Sequence, residues 1–599
     1  MRLVYDIEIY KNYFCVGFQE FKGNGSWQFE ISHRKNDYIE MIRFIRKATY
    51  LIGYNNSYYD DVVIMELLKS PLNNSDLYEL SQNIINGVVN GYVKTPFRSI
   101  DLMTLHASTM GRISLKEMEV LMCWHKVQDL PYPFDEDLTE IAMDEVAIYN
   151  FNDIGATNQL AVLKGNDIDL RLGIEKKFQL SCLSKDSVNT GVSLFAKMYA
   201  EKVGGREFMN KRTFRPSINL GECILDNVVF KSDEFNNLLN TLKSKTITET
   251  KGSLKHSVIY GGVKHVYGTG GIHSKDRPGK VKPKPDWVYM DADVSSLYPS
   301  LWIQYGWCPA HLNSNVFLPL YKQIRDDRVN KFKPLAKKDK EMALMSDTYK
   351  LMLNGSYGKL ISEYSWLYDP MVAMCITLNG QLFLSMLSER LTDAGFKVDS
   401  LNTDGITCMI PKDELDEYYA ICAQWEKETL LELEYTEYER VIRRDVNSYL
   451  AVYKGGGVKE KGFFIRDIFL EKGYDKPIVK KALYEYFING SNIREFITNH
   501  ENIHDFCMMQ KMGGKFKAFW MDKYQQKTNR FYACKKGGYF YKINTETGKR
   551  GHILKDSGVM LMNDYVECPI LERDIDYEYY IRETMKIVRL IEPEQLSLF

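Results

Sequence analysis

Asp6 and Glu8 stand two residues apart in a run that alternates like a half-buried strand, with Leu3, Tyr5, Ile7 and Ile9 on one face and Val4, Asp6, Glu8 and Tyr10 on the other. Both carboxylates leave the same side of such a strand, and two acids so placed repel each other unless a cation sits between them. Alone, an Asp-x-Glu pair is most often a solvated face. Downstream, however, Asp60 follows the apolar strand Tyr50-Leu-Ile-Gly-Tyr54, and Tyr149 and Asp153 lie four apart on one face of a helix. Four acids delivered by a strand, a loop and a helix can cage two Mg²⁺ ions, with Mn²⁺ as a substitute. Such a pair, about 4 Å apart, activates a water and stabilises the leaving oxygen of a phosphodiester. Tyr149 would orient that water, and Asn56, Ser114 and Leu115 would hold the end of a single strand.

A second constellation lies in the middle of the chain. Asp293-Val-Ser-Ser-Leu-Tyr-Pro299 follows an apolar strand. A carboxylate at a strand end, beside the Val294 carbonyl and followed by backbone N–H groups entering a turn around Ser295 and Leu297, can bind a metal and a triphosphate together. Tyr298 would lie under the sugar of an incoming nucleotide and exclude a 2′-OH by clash. Lys350, Asn354 and Tyr357 share one helix face at i, i+4 and i+7, presenting an ammonium, an amide and a ring. Asn402-Thr-Asp-Gly405 is a tight hairpin signal that would project Asp404 beside Asp293, the minimal carboxylate pair for two-metal nucleotidyl transfer. Nine Lys/Arg fall between residues 320 and 350, among them Arg325, Arg328 and Lys338, three equivalent candidates for a triphosphate. A solvated helical face explains such a run equally well.

The elements that must position these groups are α/β up to about residue 165, with a helix over 140–163. A polar, mainly helical connector follows to about 220. A Gly-rich and then basic, Pro-rich loop region spans 260–285, a strand covers Trp287–Met290, and a helix is expected over 371–396. The chain has 599 residues, enough for several domains. Its 45% hydrophobic and 26% charged residues exclude a disordered or low-complexity protein. No run approaches 18 uncharged apolar residues, so no membrane span or membrane partner is expected, and the chain reads as cytoplasmic without a leader. Net charge is −1, with 78 basic and 79 acidic residues, so a nucleic-acid partner must be argued from local patches. One such patch is 511–555, where Lys and Arg interleave with aromatics. The 11 cysteines form no Cys-x-x-Cys pair, which fits a reducing compartment.

The first set, in this order, resembles the three motifs of the proofreading 3′→5′ exonuclease domain of DNA polymerases. The second resembles motifs A, B and C of a family B DNA polymerase. Motif A matches fully at 293–299. Motif B matches at 350–358 with Gly355 in place of Ser. Of the two acids of motif C only the second survives, as Asp404, with Asn402 at the first. Tyr267-Gly-Thr-Gly270-Gly271 resembles the Tyr-x-Gly-Gly loop, Thr377-Leu-Asn-Gly-Gln381 the primer-contacting Thr-x-x-Gly-Arg, and Asn447-Ser-Tyr449 the Lys-x-Tyr motif, with Lys459 and Lys461 as sources of its missing charge.

The resemblance implies a multidomain α/β and α+β fold: an RNase H-like exonuclease (1–165), a helical connector (166–220), a ferredoxin-like palm in two parts (221–310 and 359–455), short helical fingers (311–358), a thumb (456–590) and a tail (591–599). It implies two Mg²⁺ per active site, primer-template DNA and dNTPs as partners, and Asp293 and Asp404 as polymerase ligands. The short intervals between motifs leave no room for the two insertions of the protein-primed phage branch, so no terminal protein is expected. Gln595-Leu596-Ser-Leu598-Phe599 resembles the pentapeptide that binds the bacterial β sliding clamp. A phage replicative polymerase acting in the host cytoplasm, aided by a helicase and a single-strand-binding protein, is the expectation. A stand-alone nuclease with a decayed polymerase half, a non-catalytic clamp-associated scaffold, and a primer-independent or protein-primed polymerase are the competing readings.

Overall fold

The computed structural model describes residues 1–89, 95–106, 111–466, 470 and 474–593. The chain divides into two compact units, one made of Met1–Ser187, Asp467–Val479 and Arg494–Arg582, the other of Val188–Arg466, Lys480–Ile493 and Glu583–Phe599. The chain is mixed α/β, with several separate sheets.

The first unit is built on a five-stranded sheet. Its strands β1 (Arg2–Tyr10), β2 (Tyr13–Glu20), β3 (Ser26–Ser32), β4 (Tyr50–Gly53) and β5 (Arg98–Asp101) lie in the order β3-β2-β1-β4-β5. The alternation of β1 decides which side each residue faces. Leu3, Tyr5, Ile7 and Ile9 join a core with Met41 and Ile45 and with Val63 and Leu67 of α1 (Asp60–Lys69). Val4, Ile52 and Ile100 face the other way, against Ile154, Leu160 and Ala161 of α3 (Glu140–Leu163), while α2 (Leu115–Leu121) lies between α1 and α3 in the chain. Asp6 and Glu8 thus emerge on the α3 side. Gly17, paired with Asp6 across β1 and β2, sets how closely α3 approaches: a Cβ there would fall 2.3 Å from Ile154 Cδ1 and 2.4 Å from Asn150 Oδ1. The same unit holds two small antiparallel sheets from residues 508–561, and Arg530 in that basic stretch is fully buried, donating to the carbonyls of Met562 and Trp124.

The second unit centres on a seven-stranded antiparallel sheet. Strands β6 (Trp287–Val294), β7 (Lys397–Leu401), β8 (Gly405–Pro411), β9 (Leu433–Asp445), β10 (Ser448–Tyr453) and β11 (Val458–Lys461) run in the order β7-β8-β6-β9-β10-β11, and Gly279–Val281 pairs with β9. The chain leaves β6 through Ser296, whose φ of 52° turns it sharply into α4 (Leu297–Gln304). The expected helical face lies on α5 (Lys340–Lys359), and α6 (Pro370–Asp393) opens with Pro370 at its first position, capped by Asp369.

Two expectations are corrected. The stretch 260–285 is not all loop: His256–Tyr260 and Val263–Tyr267 form a hairpin joined by Ile272–Ser274, with Gly261-Gly262 as its tight turn. And α6 is long and apolar enough by composition to cross a bilayer, with 94% of its apolar window buried in the protein. Its Thr, Asn, Gln and Ser residues leave the window uncharged, and with that burial it packs as a core helix.

Candidate active sites

In the first unit, β1 and α3 deliver Asp6, Glu8 and Asp153 to one point, where one ligand oxygen from each lies within 4.8 Å of the others. Among the described residues this is the one such group of three or more acidic, His or Cys side chains. Burial pushes the Asp6 carboxyl up to about 7, with Asp153 adding to the shift and Lys116 opposing it. Burial likewise raises Glu8, helped by Asp6, and raises Asp153 against the pull of Lys116. Three acids held this close carry more negative charge than one neighbouring ammonium balances, and an all-oxygen set of this kind suits a hard divalent cation. Asn150 donates to Asp6 Oδ2 at 3.2 Å. The Tyr149 hydroxyl is raised by burial and then by Asp153.

Asp60 stands outside that triple, at the start of α1, yet Asp6 is the largest charge acting to raise its carboxyl after burial. Its neighbour Asp61 is fully engaged: it accepts from Tyr5 at 2.6 Å, Ser99 at 2.6 Å and Asn56 at 3.2 Å. Asn56 itself is 1% exposed, its amide bonded to Asp61 and Ser99. Ser114 bonds through N–H and hydroxyl to Glu117 Oε2, and Lys511 Nζ closes the same cap at 2.7 Å from Glu117 and 3.2 Å from Ser114. Leu115 begins α2 and is half-buried.

Lys116, which no motif names, belongs to this site. Its Nζ lies 2.5 Å from Asp153 Oδ1, 3.0 Å from Glu119 Oε1 and 4.7 Å from the centre of the Tyr149 ring. Burial alone would lower this ammonium, but Asp153 and Glu119 outweigh it and hold it above its ordinary value. Glu119 is fully buried and pushed up to about 8 by burial, against Lys116. A lysine two residues after a helix cap looks like a solvated position, so its spacing gave no signal.

In the second unit Asp293 pairs with Gly405 across β6 and β8, and the Val294 N–H donates to the Asp404 carbonyl at 2.7 Å. The two motif strands therefore present their acids side by side. Asn402 holds the turn: its Oδ1 accepts the N–H of Asp404 at 3.1 Å and of Gly405 at 3.0 Å. Gly405 is required there, because a Cβ would fall 2.4 Å from Asp293 Oδ1. That oxygen is buried with no donor from the protein, which fits an acceptor for a divalent cation. Burial pushes the Asp293 carboxyl up to about 7, Asp404 and Asp291 adding to it while Lys459 and Lys461 oppose it.

Around this pair, Tyr298 and Tyr357 stack with ring centroids 4.3 Å apart, and the Tyr298 hydroxyl donates to the Gly270 carbonyl. Lys350 and Asn354 are exposed on the same side of α5 as half-buried Tyr357. Ser295 donates from its N–H to the Glu432 carbonyl and from its hydroxyl to Glu434. Val294 and Leu297 are buried, so only their backbones face the turn. Lys338 is exposed, and Gly271 lies against Thr403, next to Gly270. Thr377 is buried, its hydroxyl bonded back to the Ala373 carbonyl. Gln381 is buried too, and accepts from the Gly268 N–H at 3.2 Å. Tyr449 and Lys461 are direct partners across β10 and β11, with Lys459 two residues before Lys461. Gln595, Leu596, Leu598 and Phe599 lie outside the described residues.

No family model matches the chain, and no curated protein matches it. Among solved structures, all of the chain aligns with 78% of the family B DNA polymerase from the hyperthermophilic archaeon Pyrobaculum calidifontis, at 14% identity and a TM-score of 0.44.

Proposed function

We propose that this chain is a DNA-templated, primer-dependent DNA polymerase that also carries a proofreading 3′→5′ exonuclease. The observation that carries the reading is the adjacency of Asp293 at the end of β6 to Asp404 in the turn that opens the neighbouring β8, with Asp293 Oδ1 buried and unbonded, beside a stacked Tyr298–Tyr357 pair. Asp293, Asp404 and the Val294 carbonyl would hold Mg²⁺ in one site, and Asp6, Glu8, Asp153 and Asp60 in the other. The bound ions would lower the pKa of the attacking hydroxyl or water and neutralise the leaving oxygen.

The chain's own groups do the rest. Lys350 and Asn354 meet the triphosphate, Lys338 lies within the same basic segment, and the Tyr298 ring bars a 2′-OH. Tyr449, Lys459 and Lys461 meet the primer strand. In the other site Tyr149 orients the attacking water, and Ser114 and Leu115 stand at the strand's end. Primer-template DNA and dNTPs are the partners. The tail Gln595–Phe599 is a tether to a bacterial-type β clamp, which raises effective concentration at modest affinity. Replication of phage DNA in a bacterial cytoplasm is the setting this implies.

Extension of a primer with a mismatched 3′ end, with and without β clamp, tests the reading. Removal of the mismatch followed by extension, stimulated by the clamp, is the expected result. Degradation with no extension at any dNTP concentration would replace the polymerase with a nuclease.

A further inference from the structure

The second site contains an acid that none of the motifs names. Asp291 lies two residues before Asp293 on β6, so the two carboxylates leave the same face of the strand. It is 6% exposed and pairs with Thr407 on β8 and Thr436 on β9. Its Oδ2 accepts the Tyr438 hydroxyl at 3.0 Å, and Lys459 Nζ stands 4.0 Å from that oxygen while donating to Tyr438 at 3.2 Å. The Lys459 ammonium also lies 5.9 and 6.0 Å from the centres of the Tyr438 and Tyr449 rings. Asp291 and Asn402 line one cavity of about 30 Å³, the space of a single water. The strongest cation on that cavity's wall, Arg443, is already matched: it is bonded to Asp276 at 2.7 Å, to the Tyr289 hydroxyl at 3.0 Å and to Asp399. Asp291 therefore has Lys459 as its counter-charge and is held back from the front of the site by Tyr438.

We propose that Asp291 is a positioning residue of this site: a third negative charge behind Asp293 and Asp404 that strengthens divalent-cation binding without ligating the ion. The inference rests on the polymerase reading. A carboxylate two residues along the strand, roughly 7 Å behind the ligands, changes the affinity of a dication by about tenfold where the dielectric is water-like. Asn402 lies on the same cavity and uses only its Oδ1 to hold the 402–405 turn. An Asp at 402 could still accept both N–H groups while bringing a charge to the same cavity.

The test is Mn²⁺ affinity of the full chain, measured by electron paramagnetic resonance without DNA, in an Asp6→Asn/Asp153→Asn background that silences the other cluster. Asp291→Asn, which keeps an acceptor for Tyr438, should weaken Mn²⁺ binding about tenfold. Adding Asn402→Asp should bring it back to within about threefold of the starting protein, and Tyr438→Phe, which removes the hydrogen bond but not the charge, should stay within about threefold. Unchanged affinity in Asp291→Asn overturns the inference. So does failure of Asn402→Asp to restore it, or a loss in Tyr438→Phe as large as in Asp291→Asn, because either result makes the role architectural. Primer extension by Asp404→Asn separates the two levels. If that variant extends primers as fast as the starting protein, Asp404 is no ligand and the site assignment beneath this inference fails; if extension is lost, an unaltered Asp291→Asn defeats only the present proposal.

Discussion

The two acid clusters use the same residue types and neutralise them differently. In the first unit an ammonium is inside the cluster: Lys116 lies 2.5 Å from Asp153. In the second the nearest ammonium stands behind it, Lys459 at 4.0 Å from Asp291, and Asp293 Oδ1 is left with no partner. The first cluster is thus partly compensated before any cation arrives, and a metal there must share Asp153 with a lysine. The second cluster is uncompensated at the front. Its charge is exposed to whatever cation or nucleotide-bound cation comes. A buried acid group with a resident lysine is tied to the stability of its unit, whereas one held open is tied to ligand binding.

The largest effect expected from this contrast is a clean division of activities. Asp404→Asn should lower primer extension by about 10³-fold or more and leave degradation of single-stranded 3′ ends within a few fold. Asp6→Asn should do the reverse. Gel assays on one labelled primer-template read both. A joint loss in either variant would mean that the clusters are not independent sites.

Next in size is the cost of emptying the first cluster of its lysine. Lys116→Met leaves Asp153 and Glu119 buried without their cation, and removing one partner of a buried ion pair costs about 3 kcal/mol. Urea unfolding followed by a probe in the first unit should show that loss, and millimolar Mg²⁺ should recover part of it. The corresponding Lys459→Met change should cost the second unit far less, since Lys459 is 30% exposed and Asp291 keeps Tyr438.

Much of this arrangement was legible in the sequence where the signal is local. The alternation of Leu3 to Tyr10 gives β1 and the shared side of Asp6 and Glu8. The four-residue spacing of Tyr149 and Asp153 gives their common face on α3, and Asn402 to Gly405 gives the hairpin. What escaped was set by partners distant in the chain or by hydrogen bonds within one element. Lys116 meets Asp153 across two helices. Lys511 closes the Ser114 cap from nearly four hundred residues away. Asp291 looks like an intrusion in an apolar strand until Tyr438, two residues along β9 from its cross-strand partner, donates to it. In α6, buried Thr377, Asn379, Gln381 and Ser385 each bond back to the carbonyl four residues earlier, so polar residues that suggest a wet face line a dry one. Asp60 and Asp61 are indistinguishable by type; only the three donors on Asp61 separate them.

The contrast also has a pH signature. The Asp6 carboxyl is raised to about 7, above its unfolded value near 3.8. Between those two values the folded state binds more protons than the unfolded chain, so this group's contribution to stability is present at low pH and is lost as pH rises toward and past 7. Without divalent ions, wild type should therefore lose about 1 kcal/mol more than Asp6→Asn between pH 6 and pH 8. Millimolar Mg²⁺ should erase most of that difference, because the ion favours the ionised cluster. Asp293, also raised to about 7, should give the same sign in the second unit. Thermal unfolding of the variants across pH, with and without Mg²⁺, measures both. A difference that grows as pH falls would reverse the assignment of burial as the main cause.

The smallest effect concerns a contact with no counterpart in the first cluster. Tyr298 stacks on Tyr357 and its hydroxyl donates to the Gly270 carbonyl, so one side chain joins the strand-to-helix turn, α5 and the Gly-rich loop. Tyr298→Phe keeps the ring and the stack and removes one partly exposed hydrogen bond, a loss of about 0.5 kcal/mol. If the ring is what excludes a ribose 2′-OH, discrimination between dNTP and rNTP should stay within about threefold in Tyr298→Phe and fall by tenfold or more in Tyr298→Ala. Single-nucleotide insertion kinetics with both substrates decide it. A Tyr298→Phe enzyme that admits ribonucleotides as freely as Tyr298→Ala would move the selectivity from the ring to the loop that the hydroxyl holds, and Gly270 would then be the residue to alter next.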